Sequence, residues 1–262
     1  MFPRYNAYII AYITAALLIL PWTIIQPRAL NDLRNIAFDT YQRLNPRQFN
    51  VENPISIIGI DAESLKPFAK APAVLGVALS KDGENNFKQK SGIVTLGDNP
   101  EQFLIKFPAF IGPITELLEP ARGLGFTNWL PDHDQVVRNV PLMMSVNGSI
   151  ITSLALEALR VAQNAQNYII KSSNASLEMA FGQRTGINSI KVGNLEIPTG
   201  SSSEVRPYYS YSDERRYLSA KDVLENKIDT DIIKGRIFII GAKATGSWGY
   251  EGNTTGSHNP RR

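Results

Sequence analysis

The chain has no cysteine, which excludes disulfides, thiol nucleophiles and cysteine-bound metals together. Histidine is nearly as scarce. His133 and His258 are the only two, and they lie far apart in sequence, so metal chemistry here would rest on carboxylates. A dominant charge sign is also lacking: 27 Lys and Arg stand against 24 Asp and Glu, a net charge of +3. That balance gives no reason to expect a nucleic-acid surface. Long apolar runs are absent with one exception. From Tyr5 to Gln26 there is no Lys, Arg, Asp or Glu, and about 20 such residues suffice to cross a bilayer as a helix.

That run, Ala7 to Ile25, reads as a transmembrane helix, with the lipid bilayer as its partner. A secretory signal peptide is the competing reading, because Arg4 precedes the run. The run is long for such a segment, however, and Pro21-Trp22-Thr23-Ile24-Ile25-Gln26-Pro27-Arg28 offers no small-x-small cleavage site. An uncleaved anchor over 1–28 is therefore expected. Tyr5 and Trp22 sit where an aromatic belt would. Arg4 and the amino terminus balance Arg28 and Arg34, so flanking charge does not set the orientation.

The whole chain is 43% hydrophobic and 19% charged, a composition able to pack a core. Leu33, Ile36, Ala37, Tyr41 and Leu44 recur at helical spacing and predict a helix over Asn31 to Leu44, capped by Asn31 or Asp32. Ile55 to Ile60 is a nearly continuous β-branched run, the pattern of a strand covered on both faces. Ala73 to Leu79 predicts a second buried strand, and Gly123 to Phe126 another extended stretch. Pro108, Gly112 and Pro113 break Phe103 to Leu118 into a loop leading to a short helix. Asn147-Gly148 fits a type I′ turn and predicts a hairpin between Val137–Val146 and Ser149 onward. Thr152 to Gln166 reads as an amphipathic helix with Leu154, Ala158, Val161 and Ala162 opposite Glu157, Arg160 and Asn164. Further predictions are a hairpin around Gly193-Asn194, a strand from Val205 to Tyr211 and a capping-box start at Ser219. Gly235 to Gly241 is the strongest candidate for a buried strand. Strands alternating with helices imply an α/β fold: an N-terminal transmembrane helix, then a mixed, partly parallel sheet with flanking helices.

Ordered segments carry a resemblance. They are Phe38-Asp39-Thr40-Tyr41-Gln42-Arg43, Ile57-Ile58-Gly59-Ile60-Asp61-Ala62-Glu63-Ser64-Leu65 and Leu124-Gly125-Phe126-Thr127-Asn128. After these come Pro131-Asp132-His133-Asp134-Gln135-Val136-Val137-Arg138-Asn139-Val140-Pro141-Leu142, Leu218 to Leu224, and Gly235 to Ala242. Together they resemble the CHASE sensory domain of type two, an extracytoplasmic module of bacterial cyclases, histidine kinases and related receptors. The resemblance implies a sensory domain over 29–246 without catalysis of its own, and with the single apolar run it predicts a chain that crosses the bacterial inner membrane once, its bulk extracytoplasmic. The cyclase or kinase output module would lie outside this chain. An extracytoplasmic ligand or protein is the implied further partner, and a homodimer is compatible with it.

Three departures stand out. Gly59 replaces an acidic residue of the family pattern. Leu65-Lys66-Pro67-Phe68 runs straight into Ala69, where the family has a helix, a strand and a second helix, so some tens of residues are expected to be missing. The tail 247–262 leaves the family pattern, and a one-base shift of suitably chosen codons restores it. A frameshifted or truncated gene is the expectation.

Candidate site residues come from the loop Asp132-His133-Asp134-Gln135-Val136-Val137-Arg138. Two carboxylates one residue apart can share a cation, but a metal site needs further ligands, and Arg138 brings a cation instead. Two readings remain. In one, the loop is an Asx-type turn with Arg138 paired to Asp132 or Asp134. In the other it recognises a ligand, with Arg138 as anion partner and Asn128 as hydrogen-bond donor. Gly241 to Ser247 has the outer glycines of a phosphate loop without its lysine. Arg206, Tyr208, Tyr209, Tyr211, Arg215, Arg216 and Tyr217 read as an edge strand with snorkelling side chains. Asp61, Asp132 and Asp134 would serve a runner-up reading, a membrane-tethered carboxylate hydrolase. No catalytic, metal or cofactor residue is assigned.

Overall fold

The computed structural model describes residue 14 and residues 28–47, 55–59, 73–84, 89–118, 120–175, 184–211 and 213–241. Of the anchor expected over 1–28 only residues 14 and 28 are among them, and Asp61 and Glu63, the junction at Phe68 and the tail after Gly246 lie outside the described residues. Among those described, no helix is long and apolar enough to cross a membrane. The chain divides into two compact units, Met1–Phe49 with Tyr208–Tyr211, and Asn50–Pro207 with Ser212–Arg262.

The first unit holds helix α1, Arg28–Leu44. It begins three residues before the expected start, so neither Asn31 nor Asp32 caps it. Gln42 is buried, and its Oε1 accepts from the Tyr209 backbone N–H at 2.9 Å. The Tyr208 hydroxyl donates to the Asn45 carbonyl. These bonds overturn the strand expected from Val205 to Tyr211, which is reduced to Glu204–Val205. Pro207 has no N–H to offer a ladder, and the N–H of Tyr209 is taken by a side chain.

The second unit runs β1 (Ile55–Gly59), β2 (Val74–Ser80), β3 (Gly92–Leu96), β4 (Lys106–Phe107), β5 (Ala109–Ile111), α2 (Thr115–Leu118) and β6 (Gly123–Phe126). It continues with β7 (Val140–Pro141), β8 (Met143–Val146), β9 (Ser149–Thr152), α3 (Leu154–Ala162), β10 (Asn167–Ser172), β11 (Ile187–Val192) and β12 (Leu195–Pro198). It ends with β13 (Glu204–Val205), β14 (Tyr217–Ser219), α4 (Ala220–Leu224), α5 (Thr230–Ile233) and β15 (Ile237–Gly241). The fold is mixed α/β with partly parallel strands, as expected, but the single sheet is replaced by several small ones. β1 lies between β14 and β15, parallel to both. β2 pairs parallel with β6 and antiparallel with β5, and β8 pairs parallel with β4 and antiparallel with β9. The largest sheet has the order β12-β11-β10-β3.

Side chains alternate along a strand, and β8 uses this to serve two cores. Met144 and Val146 join Val77, Leu79, Phe110, Leu124, Phe126 and Ile151. Met143 joins Leu142, Leu156, Tyr168, Ile170, Ile187, Ile190 and Val192 in the second. The Asn147-Gly148 hairpin forms as expected, with both residues at positive φ.

Three burial expectations are corrected. β2 is buried on one face, through Val77 and Leu79, while Ala78 is exposed. Among the described residues β15 pairs with β1 on one side only, and Ile239 and Ile240 stay 45% and 38% exposed. The face of α3 read as polar points inward: Leu156, Glu157 and Arg160 are its buried residues.

Candidate functional site

The chain leaves β6 through Thr127, whose N–H donates to the Val77 carbonyl at 2.9 Å. At Asn128 a side chain takes over from the backbone. The Leu79 N–H donates to Asn128 Oδ1 at 2.6 Å, and Asn128 Nδ2 donates to the Leu79 carbonyl at 2.9 Å. The amide thus repeats the two-bond exchange of a strand pair and holds β2 where the loop begins.

The loop closes on itself. Asp132 N–H donates to the Val136 carbonyl and Gln135 N–H to the Asp132 carbonyl, both at 2.9 Å. Val136 N–H donates to Asp134 Oδ1 at 3.2 Å, the i to i+2 bond of an Asx turn. Gln135 takes the left-handed conformation, φ 64°, which places Asp132 and Asp134 over the same guanidinium. Arg138 Nη1 donates to Asp132 Oδ2 and to Asp134 Oδ1, each at 2.9 Å, and Nη2 donates to Asp134 Oδ2 at 2.7 Å. Arg138 is buried beneath partly exposed carboxylates. The bond from Arg138 holds Asp134 down at about 2, although burial works the other way.

The paired-turn arrangement is therefore the one realised. A carboxyl held that low stays anionic at neutral pH and is unsuited to donate a proton. Arg138 has its charge matched by two carboxylates, so an anionic ligand would have to displace one of them. Asn128 is committed to Leu79. Among the described residues, no group of three or more metal-ligating side chains could hold an ion.

A second polar cluster was not legible as such in the sequence. Ser153 caps α3, its Oγ accepting from Leu156 N–H at 3.3 Å, which brings Glu157 inward in the first turn. Arg160 Nη2 donates to Glu157 Oε1 at 2.6 Å and its Nε to Oε2 at 3.2 Å. Oε2 also accepts from the Tyr168 hydroxyl at 2.5 Å and from Thr152 Oγ1 at 3.2 Å. Arg160 reaches the carbonyls of Ala165 at 2.8 Å and Arg122 at 3.0 Å. Burial opposes the charge of Arg160, but the Glu157 carboxylate outweighs it and raises the guanidinium pKa. Burial, then Glu157, pushes the Tyr168 hydroxyl far up, so it stays protonated. The available signal was the i, i+3 spacing of Glu157 and Arg160, which an exposed helix face would show equally.

A family model described as the CHASE2 domain matches residues 13–249. The chain belongs to the CHASE2 family. CHASE2 domains are extracellular sensor domains of signalling proteins, so the chain is placed among sensors by a match covering most of its length. The Asn128 clamp, the Asp132–Arg138 turn and the α3 cluster all lie within the matched CHASE2 span. No curated protein matches the chain, and no solved structure does.

Proposed function

We propose that this CHASE2 chain is the extracytoplasmic sensing part of a receptor anchored in the bacterial inner membrane by residues 1–28. Its output module, a cyclase or kinase, lies outside this chain. The observation that carries the reading is the CHASE2 match over 13–249, which takes in much of the uncharged run Ala7 to Ile25. A sensor needs two arrangements of the domain that a ligand or partner weights differently. The Asp132–Arg138 turn is the proposed point of entry: Arg138 recognises an anionic group once Asp134 is displaced, and Asn128 then reports to β2 through Leu79. The chain has no catalysis of its own in this reading.

A reporter fused after Arg262 tests the topology. It is expected to be active only outside the cytoplasm, and cytoplasmic activity at that position overturns the reading. The purified protein is expected to turn over no esters, phosphoesters or nucleotides. Turnover that Asp134→Asn abolishes would favour the hydrolase instead.

A further inference from the structure

The segment Tyr208–Tyr211 belongs to the compact unit of helix α1, while the residues before and after it belong to the other unit. The peptide bond from Pro207 to Tyr208 is therefore a covalent link between the two. Within its own unit the segment is tied to the end of α1. Gln42, 4% exposed, takes the Tyr209 N–H on Oε1 at 2.9 Å, and the Tyr208 hydroxyl donates to the Asn45 carbonyl. The last carbonyls of a helix have no partner within it, and here the tyrosine supplies one.

The chain upstream of the segment reaches the Asp132–Arg138 turn. β13 (Glu204–Val205) pairs with β7 (Val140–Pro141), and Val205 stands opposite Val140. One end of this short ladder is locked by Ser203, which is fully buried in the left-handed conformation, φ 67°. The Ser203 carbonyl accepts from Leu142 N–H at 2.9 Å, and its Oγ accepts from Met143 N–H at 3.1 Å while donating to the Met143 carbonyl at 2.8 Å. At the other end Arg206 Nε donates to Asn139 Oδ1 at 3.3 Å, longer than most such bonds. Asn139 directly follows Arg138. A shift of Arg138 therefore falls on the end of the ladder at Arg206 rather than on the locked end at Ser203. Between Arg206 and Tyr208 stands Pro207, whose ring fixes φ and passes a shift on rather than absorbing it.

We propose that Arg206–Tyr211 is a strap that carries the state of the Asp132–Arg138 turn to helix α1, with Asn139, Arg206 and Gln42 as its positioning residues. Opening the turn loosens the Tyr209 N–H from Gln42, and by linkage a change at α1 that breaks this bond alters the turn. The proposal rests on the reading of that turn as the point of entry, but its test needs neither a ligand nor an output module.

Hydrogen exchange of the purified full chain in detergent, read by mass spectrometry on the peptide that holds Tyr209, is the test, with the β10 amides as internal reference. Gln42→Ala is expected to speed exchange of the Tyr209 amide by about 5- to 10-fold, the effect of losing one ordinary hydrogen bond. Asp134→Asn weakens the turn without any ligand, and is expected to speed that exchange by about 5-fold. In an Asn139→Ala background it should add nothing. In an Asn139→Asp background, which keeps the acceptor for Arg206, the effect should return. Contacts that only stabilise the fold would give additive changes instead. Four results overturn the strap: no change at Tyr209 in Gln42→Ala, none in Asp134→Asn, an equal change with and without Asn139, or a change shared by the β10 amides, which means general loosening. Such a failure leaves the receptor topology untouched, because the reporter after Arg262 reads that separately, and a cytoplasmic reporter would leave the strap standing.

Discussion

The Tyr168 hydroxyl and Glu157 Oε2 lie 2.5 Å apart, eleven residues apart in sequence and both fully inside the protein. This bond ties α3 to β10, and the Glu157 to Arg160 pair then ties α3 to the turn before β6 through the Arg122 carbonyl. Buried charge is costly to leave unpaired. The cluster therefore holds this part of the domain in one arrangement.

Removing one partner should expose that cost. Glu157→Leu leaves Arg160 charged and buried, with an expected loss of about 3 to 5 kcal/mol. That is a large part of the roughly 5 to 15 kcal/mol by which domains are stable. Adding Arg160→Met should recover part of it, and Tyr168→Phe alone should cost about 1 to 3 kcal/mol. Urea midpoints of the variants and the native chain measure all three. A Glu157→Leu midpoint equal to the native one would show the cluster to be idle.

The Asp134 and Arg138 pair predicts a pH dependence. The carboxyl of Asp134 is depressed from 3.8 to about 2 in the folded protein. Its contribution is fully present above its unfolded value, and is lost as pH falls through the folded value. The urea midpoint of the native chain should exceed that of Asp134→Asn by a constant amount above about pH 4, and the gap should close toward pH 2. Asp134 is partly exposed, so the gap is expected to be small and to shrink with added salt. A difference that widens toward low pH would contradict the pairing.

Gly123 and Gly125 let α3 lie against β6. A Cβ on Gly125 would stand 2.5 Å from Leu154 Cα, and one on Gly123 would stand 2.2 Å from Glu157 Oε1. Gly125→Ala pushes on backbone and is expected to cost about 3 kcal/mol or more. Gly235 separates clash from strain: its φ is +72° and nothing lies within 4 Å, so Gly235→Ala should cost only about 1 to 2 kcal/mol. Equal thermal shifts for the two variants would rule out the close approach as the cause.

Local signals were legible where chemistry forces one outcome. Asn147-Gly148 specifies its turn because both residues must take positive φ, and the run from Ile55 has few alternatives to a strand. Asp132, Asp134 and Arg138 were legible as a paired turn from their spacing. Burial was less legible. Glu157 and Arg160 read as a solvated face, since periodicity sees polarity and not the partners that Tyr168, Thr152 and the Arg122 carbonyl supply from elsewhere. The strand β3 went unread although it contains Ile93, Val94 and Thr95, because its parallel partner β10 lies far along the chain. Asn128 suggested a ligand donor, and only the position of Leu79 shows the amide completing a strand pair.

The sheet β14-β1-β15 bears on whether the domain is whole. Ile239 and Ile240 are consecutive, so they project to opposite faces of β15, and both remain substantially exposed. Each forfeits part of the roughly 1.5 to 3 kcal/mol that full burial of such a side chain supplies. An apolar strand open on both faces is what a sheet shows when its covering elements are missing. The resemblance places one strand and two helices between Phe68 and Ala69, next in sequence after β1, the strand paired with β15. The chain as it stands is therefore expected to bind an apolar dye such as ANS and to melt in separate steps, this sheet before the part built on the two hydrophobic cores, whose transition is the one the midpoints above read. Inserting the family's segment between Phe68 and Ala69 should abolish dye binding and give a cooperative melt, read by near-UV circular dichroism. A sharp two-state melt of the unaltered chain, with no dye bound, would mean that the short connection is a genuine variant whose exposed isoleucines are tolerated.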